Sequence, residues 1–302
     1  MALVVRWVES YSLGIGHIPL SNLYESLIFF VWCLILTYLV IEFKYKNRSF
    51  GAFITPVAGL ALAFIDLSGM SKNIQPLVPA LQSNWLLVHV FMSFIAYAMF
   101  AVSFSTGLMY LIVRSEKRTE ASYIFWIVTL GAMALDYLTF KVAVKSQEEF
   151  IRSYLFRATF RNGSPVISLA SIAVSALVIF LIWRYGNALK RVIAAFNVSS
   201  ETLDELTYKS IAIGFPVFTL GGLIFGAIWA DQAWGKYWSW DPKETWSLIT
   251  WFFYAFFLHS RLMRGWKGRK VAAVAVLGFI AVIFTYLGVN LLLSGLHSYG
   301  AQ

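Results

Sequence analysis

Long apolar runs, each closed by a short polar or basic break, give the chain its pattern. The first begins at Leu23 and continues to about Glu42. Asn22 with Glu25 three residues later has capping-box spacing, so a helix is expected to start there and to end among Lys44, Lys46 and Arg48. A second run covers Gly51 to Leu67, and Ser68 to Ser83 follows as a loop with two prolines and one lysine. A third starts near Asn84 and reaches about Val113, closed by Arg114, Lys117 and Arg118. Ser122 to Phe140 and Ser164 to Trp183 are each long enough to cross a bilayer, at about twenty residues. Beyond Arg184, Lys190 and Arg191, the polar stretch Ser199 to Tyr208 is expected on the cytoplasmic side. Further spans are expected at Ile211 to Ala230, Pro242 to Leu262 and Val271 to Leu293, which makes eight candidates.

The basic breaks orient these spans, because cytoplasmic loops collect Lys and Arg. Alternating the first three spans leaves Lys44 to Arg48 and Arg114 to Arg118 inside. The cluster Arg261, Arg264, Lys267, Arg269 and Lys270 falls inside only if an even number of spans lies in residues 116–202. A hairpin of two is therefore expected, with the basic connection Lys141 to Gly163 as an interfacial segment. The tryptophan-rich stretch at 231–246 then faces outside.

Composition agrees with this pattern. The chain is 59% hydrophobic and 13% charged, against roughly 25% charged for soluble domains. Spanning backbone must satisfy its own hydrogen bonds, and no alternating strands suggest a barrel, so one all-α integral membrane helical bundle over residues 1–302 is expected. The net charge of +9 does not signal nucleic acid, since most of the basic residues lie in loops between apolar runs. Cys33 is the single cysteine and lies in an apolar run, which excludes a disulfide within the chain.

The candidate chemistry sits in Trp234-Gly-Lys-Tyr-Trp-Ser-Trp-Asp-Pro-Lys-Glu-Thr-Trp246, with four tryptophans and a tyrosine in thirteen residues. Aromatic belts at the bilayer surface would account for one or two of these rings, and a platform for a planar ligand accounts for all of them. Asp241, Pro242 and Glu244 are expected to cap and open a helix. The four histidines differ in depth. His89 lies about one turn into the third span, and His297 lies at the end of the last, both at the level of the tryptophans. His259 lies some seventeen residues into its helix, roughly 25 Å deeper. His17 stands in the segment before the first span. Two imidazoles at one level beside aromatic rings suit a six-coordinate haem. A zinc site would need further ligands, such as Asp231 or Glu244, and would leave the rings unexplained. His259 either bonds locally near Ser260 and Arg261 or completes a site with another polypeptide. Gly221, Gly222 and Gly226 are expected to allow close helix packing.

These residues also carry a resemblance. The tryptophan stretch resembles the WWD signature of haem-handling proteins in cytochrome c maturation. Gly16-His17-Ile-Pro-Leu-Ser-Asn-Leu-Tyr-Glu-Ser26, Trp85-Leu-Leu-Val-His89, Leu258-His259-Ser-Arg-Leu262 and Gly295-Leu-His297-Ser-Tyr-Gly300 resemble the CcsA (ResC-type) subunits of System II cytochrome c synthases, especially those of photosynthetic membranes. The resemblance covers residues 5–115 and 203–300. It implies a holocytochrome-c synthase (haem lyase) subunit of a thylakoid or bacterial cytoplasmic membrane, acting with a CcsB (ResB)-type membrane partner on haem b and apocytochrome c. It implies His89 and His297 as catalytic haem-iron ligands, and His259 as a ligand to a second, transmembrane haem shared with the partner. Trp234, Trp238, Trp240 and Asp241 are implied to hold the porphyrin, with the stretch 231–246 as the haem-binding loop, while His17 matches a position not regarded as a ligand. Haem vinyl groups would be joined to the thiols of a Cys-x-x-Cys-His segment. A transporter that only exports haem, and a b-type electron-transfer cytochrome, are the alternatives. The chain departs from the family's pattern in the apolar insertion 116–202. Fifteen residues precede Gly16 where further spans are usual, so a truncated or shortened N-terminus is expected.

Overall fold

The computed structural model describes residues 2–67, 72–115, 190–191, 193–195 and 198–293. The expected hairpin at 122–183 and its basic connection lie outside the described residues, as does His297. Among the described residues all regular structure is helical: α1 (Ala2–Ser12), α2 (Leu23–Tyr45), α3 (Gly51–Leu67), α4 (Asn84–Val113), α5 (Ser200–Phe218), α6 (Gly226–Trp234), α7 (Pro242–Met263), α8 (Arg269–Ile283) and α9 (Val289–Leu292). A π-helical segment, Thr219–Phe225, joins α5 to α6, and another, Phe284–Gly288, joins α8 to α9.

Five of these helical stretches are long and apolar enough to cross a membrane: Leu23–Tyr45, Arg48–Asp66, Asn84–Val113, Ser200–Trp234 and Arg269–Gly288. The chain is an integral membrane protein with an all-α bundle. Helix α7 has 22 residues, about 33 Å at 1.5 Å per residue, but is less apolar because it carries Lys243, Glu244, His259 and Arg261.

Helix α4 is the axis of the bundle, packing against α2, α3, α5 and α8. Its Phe100, Ala101 and Val102 are fully buried. The contacts are close because the residues are small or flat. Gly107 meets α8 at Ala272 and Ala275, where an added Cβ would stand 3.2 Å from the Ala272 carbonyl. Tyr254 of α7 lies flat on Phe100, with ring centres 3.7 Å apart and 10° between planes. Hydroxyl pairs add interhelical bonds: Thr106 with Thr207 and Thr250 with Thr285, both at 2.8 Å. Such a bond contributes roughly 0.6 to 2 kcal/mol between membrane helices.

Two stretches are more ordered than the apolar pattern alone indicates. The polar stretch Ser199 to Tyr208 forms the opening turns of α5, capped by the Ser199 hydroxyl on the Thr202 N–H. Its polar residues are used in packing. Asp204 accepts from Arg261 at 2.6 Å and from the Gly268 N–H at 2.9 Å, fixing the turn between α7 and α8. The N-terminal segment also folds, as α1. Its Arg6 pairs at 2.9 Å with Glu25, which is 1% exposed. Asn22 caps α2 through the Glu25 N–H as expected, but the Glu25 carboxylate turns to the Ser21 N–H and hydroxyl and to Arg6 instead of closing the box.

Candidate functional site

A cleft lies between α4, the Thr219–Phe225 segment with the start of α6, and the start of α7. The empty space among its walls, open solvent at its mouth included, comes to about 700 Å³. His89 is on its wall with Ser93 and Tyr97, four and eight residues further along α4 and so on one helix face.

The His89 ring is fixed from three sides. Nδ1 lies 2.7 Å from the Gly221 carbonyl oxygen. A carbonyl can only accept, so Nδ1 carries the proton and Nε2 the lone pair, the form that binds a metal. Gly221 belongs to the π-helical segment, whose altered ladder offers a carbonyl sideways, and such segments recur at functional sites. Gly226 supplies the room: a Cβ there would stand 2.9 Å from both Cε1 and Nδ1 of His89. The indole of Trp229 lies nearly parallel to the imidazole, with centres 6.0 Å apart and 16° between planes. Trp229 Nε1 donates to the Ala80 carbonyl at 2.8 Å, and Trp234 meets the same indole edge-on at 4.9 Å. Close packing, as expected of these glycines, describes Gly221, where an added Cβ would run into Met92. Gly226 instead makes space for an imidazole.

The tryptophan stretch is held to α7 by one carboxylate. The N-terminal capping box forms as expected: Asp241 caps α7, Pro242 opens it, and Glu244 reaches back to the Asp241 N–H. The buried Glu244 carboxylate also accepts from the Ser239 N–H at 2.7 Å and from the Ser239 hydroxyl at 3.2 Å. Residues 231–234 still belong to α6, which ends on Gly235 at φ 70°, its N–H returning to the Asp231 carbonyl. The Asp231 carboxylate accepts from the Tyr237 hydroxyl, and that bond together with the carboxylate charge pushes the phenol above its ordinary pKa.

The structure brings some predicted residues together and separates others. His89 and Trp238 line the cleft, with Tyr237, Lys243 and Glu244. Trp234 reaches it indirectly, through Trp229 and then His89. Trp240 has φ 59°, a left-handed conformation uncommon outside glycine, is 68% exposed and stands edge-on to Trp238 at 5.8 Å. Asp241 is buried in its capping role. His259 is apart from the cleft, on the exposed face of α7. His17 is buried, its ring nitrogens 2.9 Å from the Ile18 and Gln75 carbonyls.

Sequence reasoning passed over Ser93, Trp229 and Lys243. Ser93 was accessible from its spacing to His89, whereas Trp229 matters through a stack that no spacing rule predicts.

The model of the family described as cytochrome C assembly protein matches residues 20–297, from the approach to α2 through the last histidine. Proteins named cytochrome c biogenesis protein CcsA are similar over almost the whole chain. That of Gloeobacter violaceus is 40% identical over 300 residues, covering 99% of this chain and 81% of its own length. That of Chlorella vulgaris is 40% identical over 302 residues, with coverage of 99% and 81%. That of Pyropia yezoensis is 38% identical over 303 residues, with coverage of 99% and 82%.

The chain belongs to the CcsA family of cytochrome c assembly proteins.

Cytochrome c biogenesis is accordingly its field of action. The match to the cytochrome C assembly family runs through His89, the tryptophan stretch and His259, and its last position is His297.

Proposed function

We propose that the cleft holds haem b as a substrate, with His89 and His297 as the two axial ligands, and presents it for covalent attachment to apocytochrome c. The strongest support is the setting of His89. Its Nδ1 proton is engaged by a backbone carbonyl, an outer-shell bond of the kind that orients a metal-ligating imidazole and raises its basicity. Trp238 and Tyr237 would cover a porphyrin face, Trp234 would support it through Trp229, and the capped Asp241 would fix the loop that carries them. Trp240, exposed beside Trp238, would close over the porphyrin from outside the cleft.

The attachment is a redox-neutral addition. Each thiol of a Cys-x-x-Cys-His segment adds across a vinyl double bond: a C–S bond forms, the π bond breaks, and the thiol proton ends on the terminal vinyl carbon. The chain needs no thiol of its own for this, and its work is to hold the vinyl edge in line with the incoming sulfurs. With an even number of spans in residues 116–202, the basic breaks would leave the tryptophan stretch on the lumenal or periplasmic side, where apocytochrome would meet it.

His259 fits a partnership with a CcsB-type membrane subunit. A histidine on an exposed face within the membrane is costly alone and gains from a second ligand supplied by a neighbouring chain.

Co-expression with a CcsB-type partner and a reporter apocytochrome tests this reading. His89→Ala and His297→Ala are each expected to abolish covalent cytochrome. Unchanged product in either variant would overturn the ligand assignment. Haem export without covalent product in the wild type would favour a transporter, and permanently bound haem that never exchanges would favour a b-type cytochrome.

A further inference from the structure

Lys243 is the second residue of α7, is half-buried and lines the cleft with His89. Its Nζ donates to Asn290 Oδ1 at 2.9 Å and stands 5.9 Å from the centre of the Tyr286 ring. Asn290 is buried and is itself held by donation from Nδ2 to the Tyr286 carbonyl at 2.6 Å. An ammonium has three donors, and Asn290 takes one. Among the described residues no carboxylate lies within ion-pair distance of Lys243. The adjacent Glu244 also lines the cleft, but its carboxylate is engaged by the Ser239 N–H and hydroxyl and by the Asp241 N–H. A second polar group is waiting in the same cleft: the Ser93 hydroxyl, one turn along α4 from His89, is buried without any hydrogen-bond partner. A buried hydroxyl left unpaired costs about 1 to 3 kcal/mol, so a ligand that reaches it recovers that cost.

A fixed ammonium with spare donors and an unpaired hydroxyl, in a cleft walled by aromatic rings, call for an anionic oxygen on a flat apolar body. We propose that Lys243, with Ser93 as second donor, binds a propionate carboxylate of haem. This rests on the haem reading above and extends it: Lys243 sets how the macrocycle is turned about the His89 axis. Propionates and vinyls occupy opposite edges of the porphyrin. Anchoring one edge directs the vinyls away from Lys243, so the vinyl edge is the one offered to the thiols.

The test is a Soret titration of the detergent-solubilised full chain, with its membrane partner, against iron protoporphyrin IX and against its dimethyl ester. The ester has the same rings and vinyls but no carboxylate charge. The wild type is expected to bind the diacid at least about tenfold more tightly than the ester, the scale of a charge-assisted hydrogen bond. Lys243→Gln should reduce diacid affinity to the level of the ester, with ester affinity and Soret position unchanged. Lys243→Arg should keep the preference, and Ser93→Ala should weaken it by a few-fold. Equal binding of both porphyrins by the wild type, or an undiminished preference in Lys243→Gln, overturns the proposal and leaves the haem site standing. Loss of both affinities in Lys243→Gln also counts against it, since the role claimed is specific to the carboxylate. Failure of the wild type to bind either porphyrin removes the haem reading and this inference together.

Discussion

Two histidines in this protein illustrate opposite ways of preparing an imidazole. His89 is enclosed by its own chain: Gly221 accepts its Nδ1 proton, Gly226 leaves space for the ring, and Trp229 lies parallel to it. His259 is exposed on α7, on the side of the helix that also carries the exposed Phe252, Phe256 and Met263. The polar groups of the two residues that follow it along the chain are engaged elsewhere or turned inward. Arg261 binds Asp204, and the Ser260 hydroxyl is buried without a partner. One histidine is set up by contacts within the chain, and the other presents itself to whatever packs against α7. On the proposed reading, the first site can be examined in the isolated subunit and the second requires a complex.

The comparison can be broken most forcefully at His89. His89→Ala is expected to lower covalent cytochrome formation by more than about 100-fold, since the whole ligand is lost where an outer-shell partner alone is worth 10- to 100-fold. Gly226→Val comes next. The new side chain meets the imidazole, and haem affinity in a titration should fall roughly tenfold or more while the helical circular-dichroism signal is retained. His259→Ala sharpens the contrast from the other side. Its haem content should match wild type when the subunit is purified alone and drop by about half when the CcsB-type partner is present. A drop in both preparations would deny the distinction. The smallest effect is expected far from both histidines: a double-mutant cycle on Thr106→Val and Thr207→Val should give a coupling of about 0.6 kcal/mol in unfolding, with haem binding unaltered.

Much of the scaffold was legible because membrane spans obey one strong rule. Gly51–Leu67 and Asn84–Val113 follow directly from uninterrupted apolar runs, and the start of α7 follows from Asp241, Pro242 and Glu244. The helix of α5 begins at Ser200, ahead of the span expected from Ile211, because Glu201, Asp204 and Glu205 are too polar to register in an apolar run. A helix can carry such charges where they meet partners, as Asp204 meets Arg261 and the Gly268 N–H. Helix α1 escaped notice because its anchor, the Arg6–Glu25 pair, joins residues nineteen apart. At the cleft, His89 and Trp238 could be singled out by residue type alone. What the pattern left hidden is the geometry around them: a π-helical turn that frees the Gly221 carbonyl, a glycine whose missing Cβ fits an imidazole, and a lysine brought to Asn290 across 47 residues.

The central claim is that His89 is an iron ligand, and the optical spectrum of the haem-loaded chain tests it most directly. The wild type is expected to give a low-spin, six-coordinate spectrum that His89→Ala converts to high spin and that added imidazole restores. A low-spin spectrum unchanged by His89→Ala would contradict the account.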